Sequence, residues 1–194
     1  MVSKQEDVKQ KILNASAKLF EKYGYNNVRM SDITKDIGVT TGFFYYHFNS
    51  KEEILQMIYE NYISSSAEKV KEIYEMQGLT AKEKLELLIK MHCIGIKENY
   101  SQVSVFFREY RNLSEDGLKI IQEKNSKYLK YVVKIIKQGV QEGSFKGELD
   151  SKMVSFAIIG MCNWIFQWYR EDGKMSIDEI GEVFFRLVGS GLLK

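Results

Sequence analysis

Apolar residues recur along this chain three and four positions apart, the interval that lines one face of an α-helix. Val8, Ile12, Ala15 and Leu19, widened by Phe20, predict a first helix from near Ser3 to Tyr23, stopped by Gly24. Ile33 and Ile37 predict a short helix closed by Gly38. After Val39 in a turn, Thr40 has the hydroxyl of an N-cap, and Phe44 and Phe48 face inward from a second short helix. Ser50 with Glu53 reads as a capping box opening a long helix through Ile54, Leu55, Ile58 and Tyr62 to about Met76. Thr80 with Glu83 opens another, carrying Leu85, Leu88, Ile89, His92 and Ile96. A short segment with Val103, Phe106, Phe107 and Tyr110 precedes a long helix from Glu115 to Gln141, ended by Gly143 and Phe145. Asp150 caps a helix over 153–169. Ser176 with Glu179 boxes the last, whose stripe is Ile180, Val183, Phe184, Leu187 and Val188. The pattern predicts an all-α fold of about nine helices with no internal repeat.

The stretch from Met30 to Leu55 is a helix-turn-helix pattern. Its second helix leaves Thr41, Gly42, Tyr45, Tyr46 and His47 on the outer face, with Lys51 just beyond, and no carboxylate interrupts them. Groups that donate hydrogen bonds without repelling an anion suit phosphates and base edges.

These residues resemble the DNA-binding domain of the tetracycline-repressor (TetR) family of bacterial regulators, through Phe20, Gly24, Asp32, Ile33, Gly38, Val39, Gly42, Phe44, Tyr45, Phe48, Lys51 and Leu55. The resemblance implies that Thr40, Thr41, Gly42, Tyr45, Tyr46, His47 and Lys51 approach double-stranded operator DNA, Lys51 through phosphate. Three positions depart from the pattern. Arg29 stands where a Ser or Thr usually caps the first motif helix, leaving Asn27 or Ser31 as substitutes; Thr41 replaces a common Lys; and Phe43 replaces a small residue.

Composition narrows the rest. The 194 residues are 44% hydrophobic and contain no proline, which favours helices and supplies ample core. The net charge of +2 is no basic coat, yet residues 1–48 hold seven Lys/Arg against five Asp/Glu, placing the whole excess beside the motif. Lys4, Lys9 and Lys11 lie near a DNA backbone in this reading, or on an ordinary solvated face. Two cysteines make no disulfide framework, and the N-terminus lacks a secretory apolar core, so a reduced cytoplasmic protein is expected.

The helix over 153–169 is apolar on nearly every side, yet it is shorter than the ~20 residues of a membrane span and contains Ser155, Asn163 and Gln167. Such a helix needs cover on two sides, and a second copy of the chain is the natural cover, with Gly160 permitting close approach and Gly181, Gly189 and Gly191 beside the apolar stripe of the last helix. Ser155, Asn163 and Gln167 form a polar stripe that either pairs across a dimer or anchors a ligand; Trp164 and Trp168 flank it, and Phe106, Phe107, Tyr110 and Tyr128 are candidate walls of an aromatic pocket.

Arg108, Glu109, Leu113, Gly160, Asn163, Trp164, Trp168, Tyr169 and Gly173 are similar to the ligand domain of TetR-family regulators of fatty-acid or steroid degradation. That similarity implies an acyl-coenzyme A effector, with Arg108, Arg111 and Arg170 meeting its phosphates or forming surface ion pairs. His92 and Cys93 point about 100° apart on a helix and share no metal. No nucleophile, glycine-rich phosphate loop or metal spacing accompanies them, so neither catalysis nor a cofactor is expected.

The sequence thus reads as a homodimeric regulator, with a three-helix DNA-binding domain at residues 1–49 and a ligand-binding and dimerisation domain at 50–194. Its partners are operator DNA and a small apolar effector, with no membrane. Two alternatives stay open: a DNA-binding protein of the same fold without an effector, and a helical small-molecule-binding protein or enzyme.

Overall fold

The computed structural model describes residues 4–194, and side-chain environments from Val8 onward. The chain folds into α1 (Lys4–Tyr23), a 3-10 turn (Tyr25–Asn27), α2 (Met30–Ile37), α3 (Thr41–His47), α4 (Lys51–Glu75), α5 (Ala81–Glu98) and α6 (Tyr100–Glu109). A second 3-10 turn (Tyr110–Asn112) leads to α7 (Glu115–Gln141), α8 (Ser151–Asn163), α9 (Ile165–Trp168) and α10 (Ile177–Leu192). The expected start of α1 near Ser3, and the side chain of Lys4, lie outside the described residues. The only extended pairing among those residues is an isolated antiparallel bridge between Phe145 and Leu193.

Local chemistry sets most helix ends. Thr40 Oγ1 accepts from Phe43 N at 3.2 Å, and Asp150 Oδ1 accepts from Lys152 N and Met153 N. Thr80 with Glu83, and Ser176 with Glu179, each close a reciprocal capping box. Each pairing also holds its glutamate below the usual carboxylate range, because the hydroxyl and amide of the cap residue donate to the charged form. Gly38 closes α2 at φ 70°, a left-handed conformation that costs glycine nothing. Two caps differ from expectation. At Ser50 the hydroxyl accepts from Glu53 N, but the Glu53 carboxylate reaches one residue further back, to Asn49 N at 2.7 Å. At Arg29 neither Asn27 nor Ser31 substitutes: the Asp32 carboxylate takes the Arg29 N–H at 2.7 Å, while the Arg29 side chain, having no acceptor, caps nothing.

The described chain packs as two compact units. One comprises the chain up to Tyr62 together with residues 100–122; the other comprises 63–99 and 123–194. In the first, α1 packs on α2 and α6. The buried face of α1 is Ile12, Leu13, Ala15, Ser16, Ala17 and Phe20, so that Ile12, Ala15 and Phe20 of the expected stripe are buried while Val8 and Leu19 are only half-buried. Around it sit Ile33, Phe44, Phe48, Ile54, Leu55 and Tyr59. Here α6 is tied in by polar bonds: the Tyr59 hydroxyl donates to Val105 O at 2.8 Å, and Ser101 Oγ donates to Glu21 at 2.6 Å. Burial, with Glu109 and Tyr25 nearby, pushes the Tyr59 phenol well above its ordinary value, so it remains a donor.

In the second unit α5 is the centre, packed by α8, α9 and α10. Leu85, Leu88, Ile89 and Ile96 of α5 are buried, as are Ile158, Ile165 and Ile180 on the helices packed against it and Val132, Ile135 and Ile136 of α7. Phe145 lies against the backbone of α7, where a Cβ at Gly139 would overlap its ring. The single helix expected over 153–169 is broken between Asn163 and Ile165, giving α8 and α9; taken together they make nine α-helices among the described residues.

Candidate nucleic-acid interface and ligand cleft

The helix-turn-helix is built as its pattern dictates. Ile33, Phe44 and Phe48 are buried, the last two with ring centroids 5.8 Å apart, and these anchors turn the opposite face of α3 outward. Thr40, Thr41, Gly42, Phe43, Tyr45 and Tyr46 are exposed there, Tyr46 by 74%. His47 does not lie on this face as expected, and Lys51 beyond it is less open than expected. His47 retains only 8% exposure: a helical side chain leans over the turn before it, and the imidazole lies edge-on to Phe43 at 4.9 Å and to Tyr46 at 5.0 Å. Lys51 is half-buried, with Nζ donating to Tyr25 O at 2.7 Å and Val28 O at 3.0 Å and standing 4.3 Å from the Tyr25 ring. That burial lowers the ammonium pKa, partly offset by Glu109. Tyr25 N in turn donates to Glu109 at 3.3 Å, and Ser114 N to Glu52 at 2.8 Å, so carboxylates on α6 and α4 fasten the loops beside the motif. No periodicity signals these bonds, because each links residues far apart in sequence.

The ligand candidates divide between the units. Phe106, Phe107 and Tyr110 belong to the first, where Phe106 lies edge-on to Tyr59 at 4.8 Å and to Phe107 at 5.0 Å. Tyr128, Asn163, Trp164 and Trp168 belong to the second. There Tyr128 and Asn163 meet through His92: the Tyr128 hydroxyl is 2.7 Å from Nδ1, and Asn163 Oδ1 is 2.9 Å from Nε2. An amide oxygen only accepts, so Nε2 carries the proton, Nδ1 accepts, and Tyr128 donates. Burial pushes the His92 pKa down to about 4, the Asn163 bond opposing, which leaves the ring neutral near pH 7.

The expected polar stripe does not hold. Ser155 Oγ donates to Ser151 O of its own helix, Asn163 is turned to His92, and the helix break sends the exposed Gln167 elsewhere. Gly181 and Gly189 are buried, a Cβ at Gly181 coming 3.3 Å from Lys90 and one at Gly189 3.2 Å from Leu193, so both serve packing inside this chain. Gly160 is different: it is exposed, and a Cβ there would meet nothing. Beside it Met153, Phe156 and Trp164 of the α8 stretch are exposed, Trp164 by 62%, as are Val183 and Leu187 of α10.

A cleft of about 340 Å³ opens in the second unit, lined by Trp168, Tyr169, Arg170, Gly173, Lys174, Met175, Ile180, Val183 and Phe184. Of the aromatic and amide candidates only Trp168 lines it, and of the candidate arginines only Arg170. Arg170 pairs with Asp172 at 3.1 Å on the exposed rim. Pattern gave no notice of Lys174 and Met175, which lie in the loop before α10. Among the described residues no three His, Cys, Asp or Glu side chains gather as a metal site, and no helix is long and apolar enough to cross a membrane.

A capped helix-turn-helix with a carboxylate-free outer face defines a DNA-binding transcriptional regulator. Two family models match the chain, "Bacterial regulatory proteins, tetR family" over residues 12–58 and "Tetracyclin repressor-like, C-terminal domain" over 78–192, and the protein belongs to that family. It is 26% identical over 183 residues to the HTH-type transcriptional repressor KstR2 of Rhodococcus jostii (strain RHA1), covering 93% of this chain and 89% of that one. It is 27% identical over 182 residues to the fatty acid metabolism regulator protein of Bacillus subtilis (strain 168), covering 93% of each. Among solved structures, the TetR-family regulator PfmR from Thermus thermophilus superimposes with a TM-score of 0.85 at 27% identity, covering 94% of this chain and 99% of that one.

Proposed function

We propose that this protein is a cytoplasmic homodimeric repressor that holds a two-fold operator and releases it on binding an acyl-coenzyme A, with no catalytic step of its own. The observation that carries the reading is the exposed, carboxylate-free face of α3. DNA contact is assigned to residues 1–49 and Lys51. Thr40, Thr41, Gly42, Tyr45 and Tyr46 meet the groove, the third N–H of Lys51 meets phosphate, and His47 serves by holding its neighbouring rings. Dimerisation and ligand capture fall to 50–194.

The exposed apolar faces of α8 and α10, with open space at Gly160, support a partner helix laid against them. The cleft beside Trp168 supports the effector class: it is mostly apolar, large enough for part of an acyl chain, and Arg170 and Lys174 offer charge to phosphates. The name of the Bacillus relative favours fatty-acid chemistry. Asn163 and Tyr128 act one layer behind, through His92. Because that ring spends both nitrogens on them, it offers no general base.

Footprinting and ligand titration test this reading. The account expects a two-fold footprint with reading helices about 34–36 Å apart, and release by acyl thioesters of graded chain length. A single asymmetric half-site bound by monomer would remove the dimer. Release by free fatty acids or aromatic compounds alone would remove the thioester.

A further inference from the structure

On α3 the exposed side chains are Thr41, Phe43, Tyr45 and Tyr46, around Gly42, with the N-cap Thr40 before them. None can read a purine in the usual way. Guanine needs the two donors of Arg or Lys, adenine the donor and acceptor of Asn or Gln, and the cytosine amino group a carboxylate. Single hydroxyls position a protein on phosphates and discriminate bases weakly.

What α3 does present is a fixed apolar surface. Phe43 is 39% exposed although its ring packs edge-on to His47, which is itself nine-tenths buried and also has the Tyr46 ring against it. Phe43 is therefore open to solvent while its contact with a buried ring restricts its rotamer. The major groove has one apolar feature to offer such a ring, the C5-methyl group of thymine.

We propose that this regulator selects its operator chiefly through thymine methyl groups, and that Phe43 is the residue that reads them. The inference rests on the DNA-binding reading above and assigns its base preference. Covering one methyl group is worth about fourfold in affinity.

The test begins with operators enriched by the full-length protein from random duplexes, in which each thymine is replaced singly by deoxyuridine, keeping every hydrogen-bonding group and removing the methyl. Wild-type protein is expected to bind about fourfold more weakly at one or two thymines per half-site. Phe43→Ala is expected to lose a similar factor on the thymine operator and to ignore uracil at that position. Phe43→Leu, which keeps apolar bulk and packing, is expected to retain part of the sensitivity. Silence of uracil at every thymine overturns the proposal, as does a Phe43→Ala protein that keeps full methyl sensitivity. Failure to enrich any duplex overturns both this inference and the DNA-binding reading, whereas enrichment without methyl sensitivity overturns this inference alone.

Discussion

Lys51 in the first unit is half-buried and His92 in the second almost wholly buried, and the two are satisfied by different means. Lys51, at the head of α4, is met by main-chain oxygens of Tyr25 and Val28 and by an aromatic face. His92, in the middle of α5, is met by two side chains, Tyr128 from α7 and Asn163 from the end of α8. A lysine held by carbonyls fixes the path of a loop whatever side chains that loop carries. A histidine held by two side chains fixes a tautomer and a charge state, and it depends on both partners. Both sets of bonds join distant parts of the chain, so the Lys51 site depends on a folded main-chain path and the His92 site on two particular side chains.

The exposed surfaces differ too, hydroxyl-bearing and aromatic on α3 but apolar on α8 and α10, and the largest expected effect comes from breaking the second. Phe156→Asp with Leu187→Asp places charge on the exposed faces of α8 and α10. The double variant should sediment as a monomer and lose a hundredfold or more in operator affinity, because two linked heads gain 10²–10⁴-fold over one by effective concentration, as an order of magnitude. A variant that stays dimeric would place the interface elsewhere.

Acid sharpens the contrast next. The folded His92 takes a proton near pH 4 and the unfolded one near 6.5, so between those values the unfolded state binds more protons. The stability at stake is fully present above about pH 6.5 and falls by about 3 kcal/mol as pH drops toward 4. Urea midpoints against pH should show this slope, and His92→Gln should flatten it. An unchanged slope in the variant would mean that the imidazole is not held neutral.

Lys51→Ala should cost about 2 kcal/mol, since two carbonyls lose a charged donor. It should also lower the salt slope of operator binding by about one unit if the remaining N–H meets phosphate. Destabilisation with an unchanged salt slope would leave Lys51 purely architectural. Smallest of all, Arg29→Ser should raise stability by about 1 kcal/mol, completing a reciprocal box with Asp32. A neutral or negative change in thermal midpoint would show that the Asp32 bond already suffices.

Separation along the chain, and not the unit a residue belongs to, divides what could be read from sequence from what could not. Thr40, Thr80, Asp150 and Ser176 act on backbone two or three residues away, so their spacing alone placed four helix starts. Gly38 and the buried pair Phe44 and Phe48 were equally legible, and with them the outward face of α3. His47 was misplaced because a helical wheel gives direction but not the lean of a side chain over the preceding turn. Lys51 was placed on the correct helix end, yet its carbonyl partners lie 26 and 23 residues earlier. The break between α8 and α9 had no glycine or proline to announce it, and the Asn163 side chain there bonds a ring 71 residues away. The polar stripe was sound as periodicity and failed residue by residue: Ser155 bonds its own helix, Asn163 turns to His92, and the break removes Gln167. The cleft needed the loop before α10 to fold beside Trp168, which no repeat encodes.

The central claim is that acyl-coenzyme A and operator bias one conformational equilibrium. The most direct test is calorimetric titration of one acyl thioester into the dimer, alone and saturated with operator, beside operator titrations with and without that thioester. Linkage requires the two ratios to be the same factor, about 5- to 150-fold for a coupling of 1 to 3 kcal/mol. The account predicts equal factors in that range. Thioester affinity that is indifferent to operator would contradict it.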